Sequence, residues 1–127
     1  MSKWEKLSIE SKIVEILEEI PYDNRHHFGR RFLTSYQIAI QFSKKFPKES
    51  DEIGKSIGGK GEGPEDSVAK YLANQLSRRV KNGSLENCIE GGFLNGENLQ
   101  PLKFGGGKEI IEATTESRYS MFRLVAE

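Results

Sequence analysis

The segment from Gly63 to Gly83 limits the fold more than any other stretch, because it specifies both ends of a helix and two chemically different faces. Pro64 supplies the fixed φ of a first helical position, and Glu65 and Asp66 suit the positive end of the helix dipole. Gly83 stands where a left-handed cap ends a helix, so the pattern predicts a helix over 64–82. Val68, Leu72, Leu76 and Val80 recur at every fourth position with Ala69 and Ala73 beside them, and this apolar stripe has to be covered by a core. The opposite arc carries Ser67, Lys70, Asn74, Ser77, Arg78 and Lys81, with no acid among them. On a lone helix such an arc is ordinarily a solvated face. The charge layout of the remaining chain raises the alternative, a binding face.

The net charge is zero, which by itself argues against a strongly nucleic-acid-binding surface. The distribution argues the other way. Residues 24–48 hold six basic residues and no acid, and residues 69–85 hold four and no acid, while the segments between and around them are acidic. Both basic blocks coincide with expected helices and their flanks. A chain of 127 residues is expected to form a single domain over 1–127 with a core large enough to need no disulfide or metal. The one cysteine, Cys88, has no basic or histidine neighbour in sequence and is expected to pack as a small hydrophobe in a strand. No run approaches the ~18 apolar residues of a membrane span. The Met1 region lacks the basic-then-apolar order of a secretory signal, so a cytoplasmic protein without membrane contact is expected.

Ser2-Lys3-Trp4-Glu5 has capping-box spacing, and Ser8 offers a second helix start. Ile9, Ile13, Ile16, Leu17 and Ile20 then share one face until Pro21 ends the segment. Trp4 and Leu7 are expected to cover the end of the core. The connector at 22–32 interleaves Arg25, Arg30 and Arg31 with Phe28 and Phe32. The ordinary expectation is phenylalanines in the core and arginines in water. The alternative is a surface that grips phosphates and stacks on bases. Adjacent His26 and His27 have no further ligand at a familiar spacing, so no metal site is expected.

The next helix is the best capped. Thr34-Ser-Tyr-Gln37 is a capping box flanked by a Leu33–Ile38 staple; Ile38, Ala39 and Phe42 face inward, Lys44 and Lys45 lie in the last turn, and Pro47 prevents continuation.

Residues 46–63 read as a flexible, glycine-rich insertion, with room for a short helical turn at 51–55. Gly54 to Lys60 fits G-x-x-x-x-G-K, but Gly61 replaces the Ser or Thr that a P-loop needs, and no apolar strand precedes it. Ile57-Gly-Gly-Lys-Gly61 contains the G-x-x-G spacing of a backbone-gripping loop, without the strand order that accompanies one. After Gly83, strands are expected at 87–94, 108–115 and 119–125, with Asn95-Gly96 and Glu116-Ser-Arg118 as turns. No G-x-S-x-G, H-E-x-x-H or cysteine pair occurs, so neither an enzymatic activity nor a cofactor is expected.

This order of elements resembles a winged helix-turn-helix domain. The resemblance rests on a helix ending at Ile20, the capped Leu-Thr-Ser-Tyr-Gln-Ile-Ala helix at 33–45, the longer helix at 64–82, and the strand-rich tail closing in Tyr-Ser-Met-Phe-Arg-Leu-Val. It implies an α+β fold of three helices followed by a small antiparallel sheet or hairpin. The third helix would enter the major groove of duplex DNA, the second would cross the backbone, and the hairpin would touch adjacent phosphate. The implied contacts are Lys70, Asn74, Arg78, Arg79 and Lys81 on the third helix, with Lys44, Lys45, Arg30 and Arg31 on the flank. The implied function is that of a DNA-binding transcriptional regulator, with a homodimer allowed. The long insertion at 46–63 departs from the short turn of that family. A protein-interaction module with no nucleic-acid binding is the other reading, favoured by the neutral net charge.

Overall fold

The computed structural model describes residues 2–23, 25–59, 67–85, 87–100, 102–105 and 110–125. The fold is α+β, as expected. Along the chain run α1 (Lys3–Lys6), α2 (Ile9–Glu18), β1 (Leu33–Thr34), α3 (Ser35–Lys45), α4 (Pro47–Ile53), α5 (Val68–Asn82), β2 (Ile89–Asn95), β3 (Lys103–Phe104), β4 (Ile111–Glu112) and β5 (Arg118–Leu124).

Both helix starts that the sequence offers, Ser2 and Ser8, are used, so the first segment is two helices. Ser2 and Glu5 form both bonds of the capping box, but Ser8 adopts a left-handed conformation (φ 51°, ψ 47°) and breaks the helix before Ile9. Such a conformation is costly for a residue with a Cβ. Local bonds offset it: Lys12 Nζ donates to the Leu7 carbonyl at 2.8 Å, and the Ser11 hydroxyl donates to the Ser8 carbonyl at 3.0 Å. The break leaves Trp4 and Leu7 buried beside Ile9 and Ile13.

In α3 the expected capping box is complete: Thr34 Oγ1 accepts from the Gln37 N–H, and the Gln37 side chain accepts from the Thr34 N–H. Pro47 ends α3 and also starts α4, occupying the first turn where its missing N–H is not needed. Thus the front of the expected insertion is a helix. It docks through Ile53, which is buried, and through a 2.9 Å bond between the Ser50 and Ser43 hydroxyls.

The long helix α5 begins later than expected. Ser67 is its N-cap, extended and accepting from the Lys70 N–H at 3.0 Å, while Pro64, Glu65 and Asp66 lie outside the described residues. Ser56 and Ser67 form a parallel bridge, so the Val68 and Ala69 N–H groups donate to the carbonyls of Ser56 (2.8 Å) and Ile57 (3.0 Å). The first-turn donors of α5 are therefore satisfied by the insertion. Gly58 and Gly59 are buried at φ values of 131° and 123°. A Cβ on Gly59 would stand 2.8 Å from the Glu112 carbonyl, and one on Gly58 3.0 Å from Ser67 Oγ. Both positions require glycine. Gly54 is the left-handed cap of α4 and Gly83 that of α5.

The three-stranded sheet has the order β1-β5-β2, antiparallel throughout, with Leu33 and Gly91 both opposite Phe122. Of the strand expected at 108–115, residues 108 and 109 lie outside the described residues; within the rest, β4 covers Ile111–Glu112 and pairs with β3, an element the sequence reading missed. Glu116-Ser-Arg118 therefore joins β4 to a strand that pairs elsewhere. Cys88 is exposed, contrary to expectation, because β2 begins at Ile89, which takes the buried position. The core joins Ile9, Ile13, Ile16 and Leu17 of α2, Ile38 and Phe42 of α3, and Leu72 and Leu76 of α5 to Phe122. Each such side chain contributes about 1.5–3 kcal/mol of burial. Val80, the last residue of the expected α5 stripe, remains exposed.

Candidate nucleic-acid interface

The core holds α5 by Val68, Ala69, Leu72, Ala73 and Leu76, which turns the opposite arc outward. Asn74, Ser77, Arg78 and Lys81 are exposed on it. Their spacing places them along one line of the helix surface. Arg78 and Lys81 make no ion pair among the described residues.

Other residues of the expected interface are occupied. Lys70 Nζ lies 3.8 Å from Glu116 Oε1, a part-exposed pair of the kind that contributes only about 0–1 kcal/mol. Arg79 turns inward: its guanidinium carbon sits 4.7 Å from the Trp4 ring centroid, and Nη2 donates to Gln75 Oε1 at 3.2 Å. That arrangement fits a packing role. Lys45 donates to Glu19 at 2.7 Å, which ties the end of α3 to the end of α2 and raises the lysine pKa; Lys44 beside it is exposed. Arg30 donates through Nη1 to the carbonyls of Ile20 (2.6 Å) and Glu18 (3.5 Å), so it caps the negative end of α2. Arg31 is exposed.

Beside the C-terminal half of α5 runs a groove of about 220 Å³ lined by Ser77, Val80, Lys81, Gly91, Gly92 and Phe93, with Ser120 and Phe122 at its floor. Its width depends on Gly91. A Cβ on Gly91 would press on the Phe122 ring at 3.1 Å, whereas Gly92 faces open space. At its edge Phe93 is 57% exposed, with the Arg118 guanidinium 4.3 Å above its ring. Phe93 and Arg118 were absent from the sequence expectation, since only the β2–β5 register, which pairs Asn95 with Arg118 and Phe93 with Ser120, brings them together.

Segment 113–117 is pinned against α3 and α5. Tyr36 Oη and Thr114 Oγ1 are 3.0 Å apart, Tyr36 Oη accepts from the Thr114 N–H at 3.3 Å, and Tyr119 Oη donates to the Thr114 carbonyl at 3.0 Å. A cavity of about 210 Å³ lies between this segment and the start of α5, with Ser35, Ser67, Lys70 and Glu116 on its wall beside Ala69 and Ala73.

The Gly54-to-Lys60 and G-x-x-G patterns fall only partly on described residues, and the described glycines serve the fold. Gly54 caps α4, and Gly58 and Gly59 are consumed by packing; Lys60 and Gly61 lie outside the described residues. His26 and His27 stack on each other, and among the described residues no three His, Cys, Asp or Glu side chains come together as a metal site. No helix among them is long and apolar enough to cross a membrane. Comparison with known proteins returns no match: no protein-family model fits the chain, and neither a curated protein nor a solved structure is significantly similar to it.

Proposed function

We propose that this chain is a DNA-binding protein of winged-helix type, a transcriptional regulator that lays α5 in the major groove of duplex DNA. The observation that carries the reading is the outward face of α5, where Asn74, Ser77, Arg78 and Lys81 stand together with no acid among them. A helix of 15 residues is about 22 Å long, enough to cross the groove. The antiparallel β2–β5 pair follows α5 as the hairpin wing of that family follows its third helix, and its exposed Arg118 supplies a phosphate contact. Asn74 suits adenine and Arg78 guanine. Lys44 supplies a backbone contact from α3, while Arg79, Arg30 and Lys45 serve the fold.

A protein partner is the second reading, favoured by the exposed Val80 and Phe93 beside the groove. An electrophoretic shift with duplex DNA at low and at moderate salt separates the two. Binding is expected at low salt and is expected to fall steeply as salt rises, because phosphate contacts release counterions. Arg78→Ala is expected to weaken it by roughly fivefold to a hundredfold, the ~1–3 kcal/mol of a good base contact. A chain that ignores duplex at low salt, or binds it independently of salt, overturns the proposal in favour of the protein partner.

A further inference from the structure

The connector between α2 and β1 forms a second surface with its own chemistry. A cleft of about 820 Å³ is lined there by Tyr22, Arg25, Phe28, Arg31, Phe32 and Arg123 among others, and it shares no lining residue with α5. Neither phenylalanine enters the core. Phe28 is 67% exposed, and Phe32 is half-buried beneath the Arg123 guanidinium, whose carbon lies 4.2 Å from the ring centroid. His26 and His27 stack at 4.9 Å with planes 12° apart, and the Phe28 ring lies 4.6 Å and 4.3 Å from them.

These exposed rings are held in place. The Phe28 N–H donates to His26 Nδ1 at 3.3 Å, and the Arg25 N–H donates to Asp23 Oδ1 at 3.0 Å. Arg123 reaches from the central strand to donate to the carbonyls of Phe28 and Arg30, and is itself fixed by Glu90. An ordered surface of this kind loses little freedom on binding. Four arginines line the cleft, and Asp23 is the one acid among the described lining residues. Two of the arginines, Arg25 and Arg31, are exposed.

We propose that this cleft binds single-stranded nucleic acid, with unstacked bases against the exposed rings and phosphates against Arg25 and Arg31. Duplex is a poor occupant, because neighbouring bases already cover each base face. An acidic polypeptide would match the arginines but leave the ring stack without planar partners. The cleft also faces away from the groove beside α5. Arg123 follows Phe122 along β5, successive strand side chains point to opposite faces, and Phe122 belongs to that groove.

The test is fluorescence anisotropy of the full chain with labelled oligothymidylate and oligouridylate, with duplex DNA titrated in parallel. Phe28→Ala and Arg31→Ala are each expected to weaken oligonucleotide binding about tenfold. Phe28→Tyr, which keeps the ring, is expected to retain it, and Arg78→Ala to leave it unchanged. A preference for one oligonucleotide identifies RNA or DNA as the natural strand and supports the cleft either way. The proposal fails if neither oligonucleotide binds, if Arg78→Ala weakens binding as much as Phe28→Ala, or if polyglutamate displaces the strand as readily as unlabelled oligonucleotide does. The duplex titration reports separately on α5, so either proposal can fail while the other stands.

Discussion

The outer face of α5 and residues 24–32 of the connector are both acid-free in sequence, yet they use their cations differently. On α5 the core grips one side of a regular helix, and Arg78 and Lys81 are left facing solvent because helical geometry puts them there. The connector keeps Tyr22, Phe28 and Phe32 out of the core, and arginines do the holding. Arg30 caps α2, and Arg123, 93 residues further along the chain, fastens the Arg30 carbonyl. A basic residue is available to a partner only where the backbone has another means of support.

That contrast can be broken most forcefully at Leu72, a fully buried residue of α5. Leu72→Ala is expected to cost ~2–5 kcal/mol, read as a fall in the denaturant midpoint, with both surfaces lost together. Arg123→Ala should act more locally. Its hydrogen bonds to carbonyls and to Glu90 contribute about 1.5–3 kcal/mol each at most, and amide exchange is expected to quicken at residues 25–32 while α5 keeps its protection. Equal acceleration in α5 would show that the connector is no separate unit.

A smaller effect is expected from Arg79→Ala, which removes the contact with Trp4 and lowers thermal stability by ~0.5–2 kcal/mol. Duplex affinity at a temperature where the variant is folded should not change, in contrast to Arg78→Ala. The smallest effect is at Glu5, whose carboxyl is held below its ordinary pKa by the Ser2 hydroxyl and backbone. A depressed folded pKa stabilises above the unfolded value and is lost as pH falls through the folded one. Glu5→Gln should therefore lower the melting temperature slightly at neutral pH and converge with the parent chain in strong acid.

Local signals were legible in the sequence and distant ones were not. The Thr34–Gln37 box, the Gly83 cap and the apolar sides of α3 and α5 depend on residues within a few positions of one another, and each forms as the spacing requires. The burial of Trp4 and Leu7 followed from the same kind of pattern. The left-handed Ser8 carries no composition signal, since glycine or asparagine is the usual marker of that conformation. Ser67, rather than Pro64, begins α5 because Ser56 and Ile57 supply the acceptors, a choice made by tertiary pairing. Within the candidate site, the exposure of Asn74, Arg78 and Lys81 could be read from helical period alone. That Arg79 would turn to Trp4, Lys70 to Glu116 and Arg118 to Phe93 could not, as each partner is far away in sequence or set by strand register.

The Ser56–Ser67 bridge has a consequence for how chains of this kind can vary in length. It sets Ser67 beside Ser56, so the start of α5 is placed by the chain from Ser56 to Gly59. Ser56 to Gly59, wedged against β4 and the helix cap, cannot change in length without moving the start of α5.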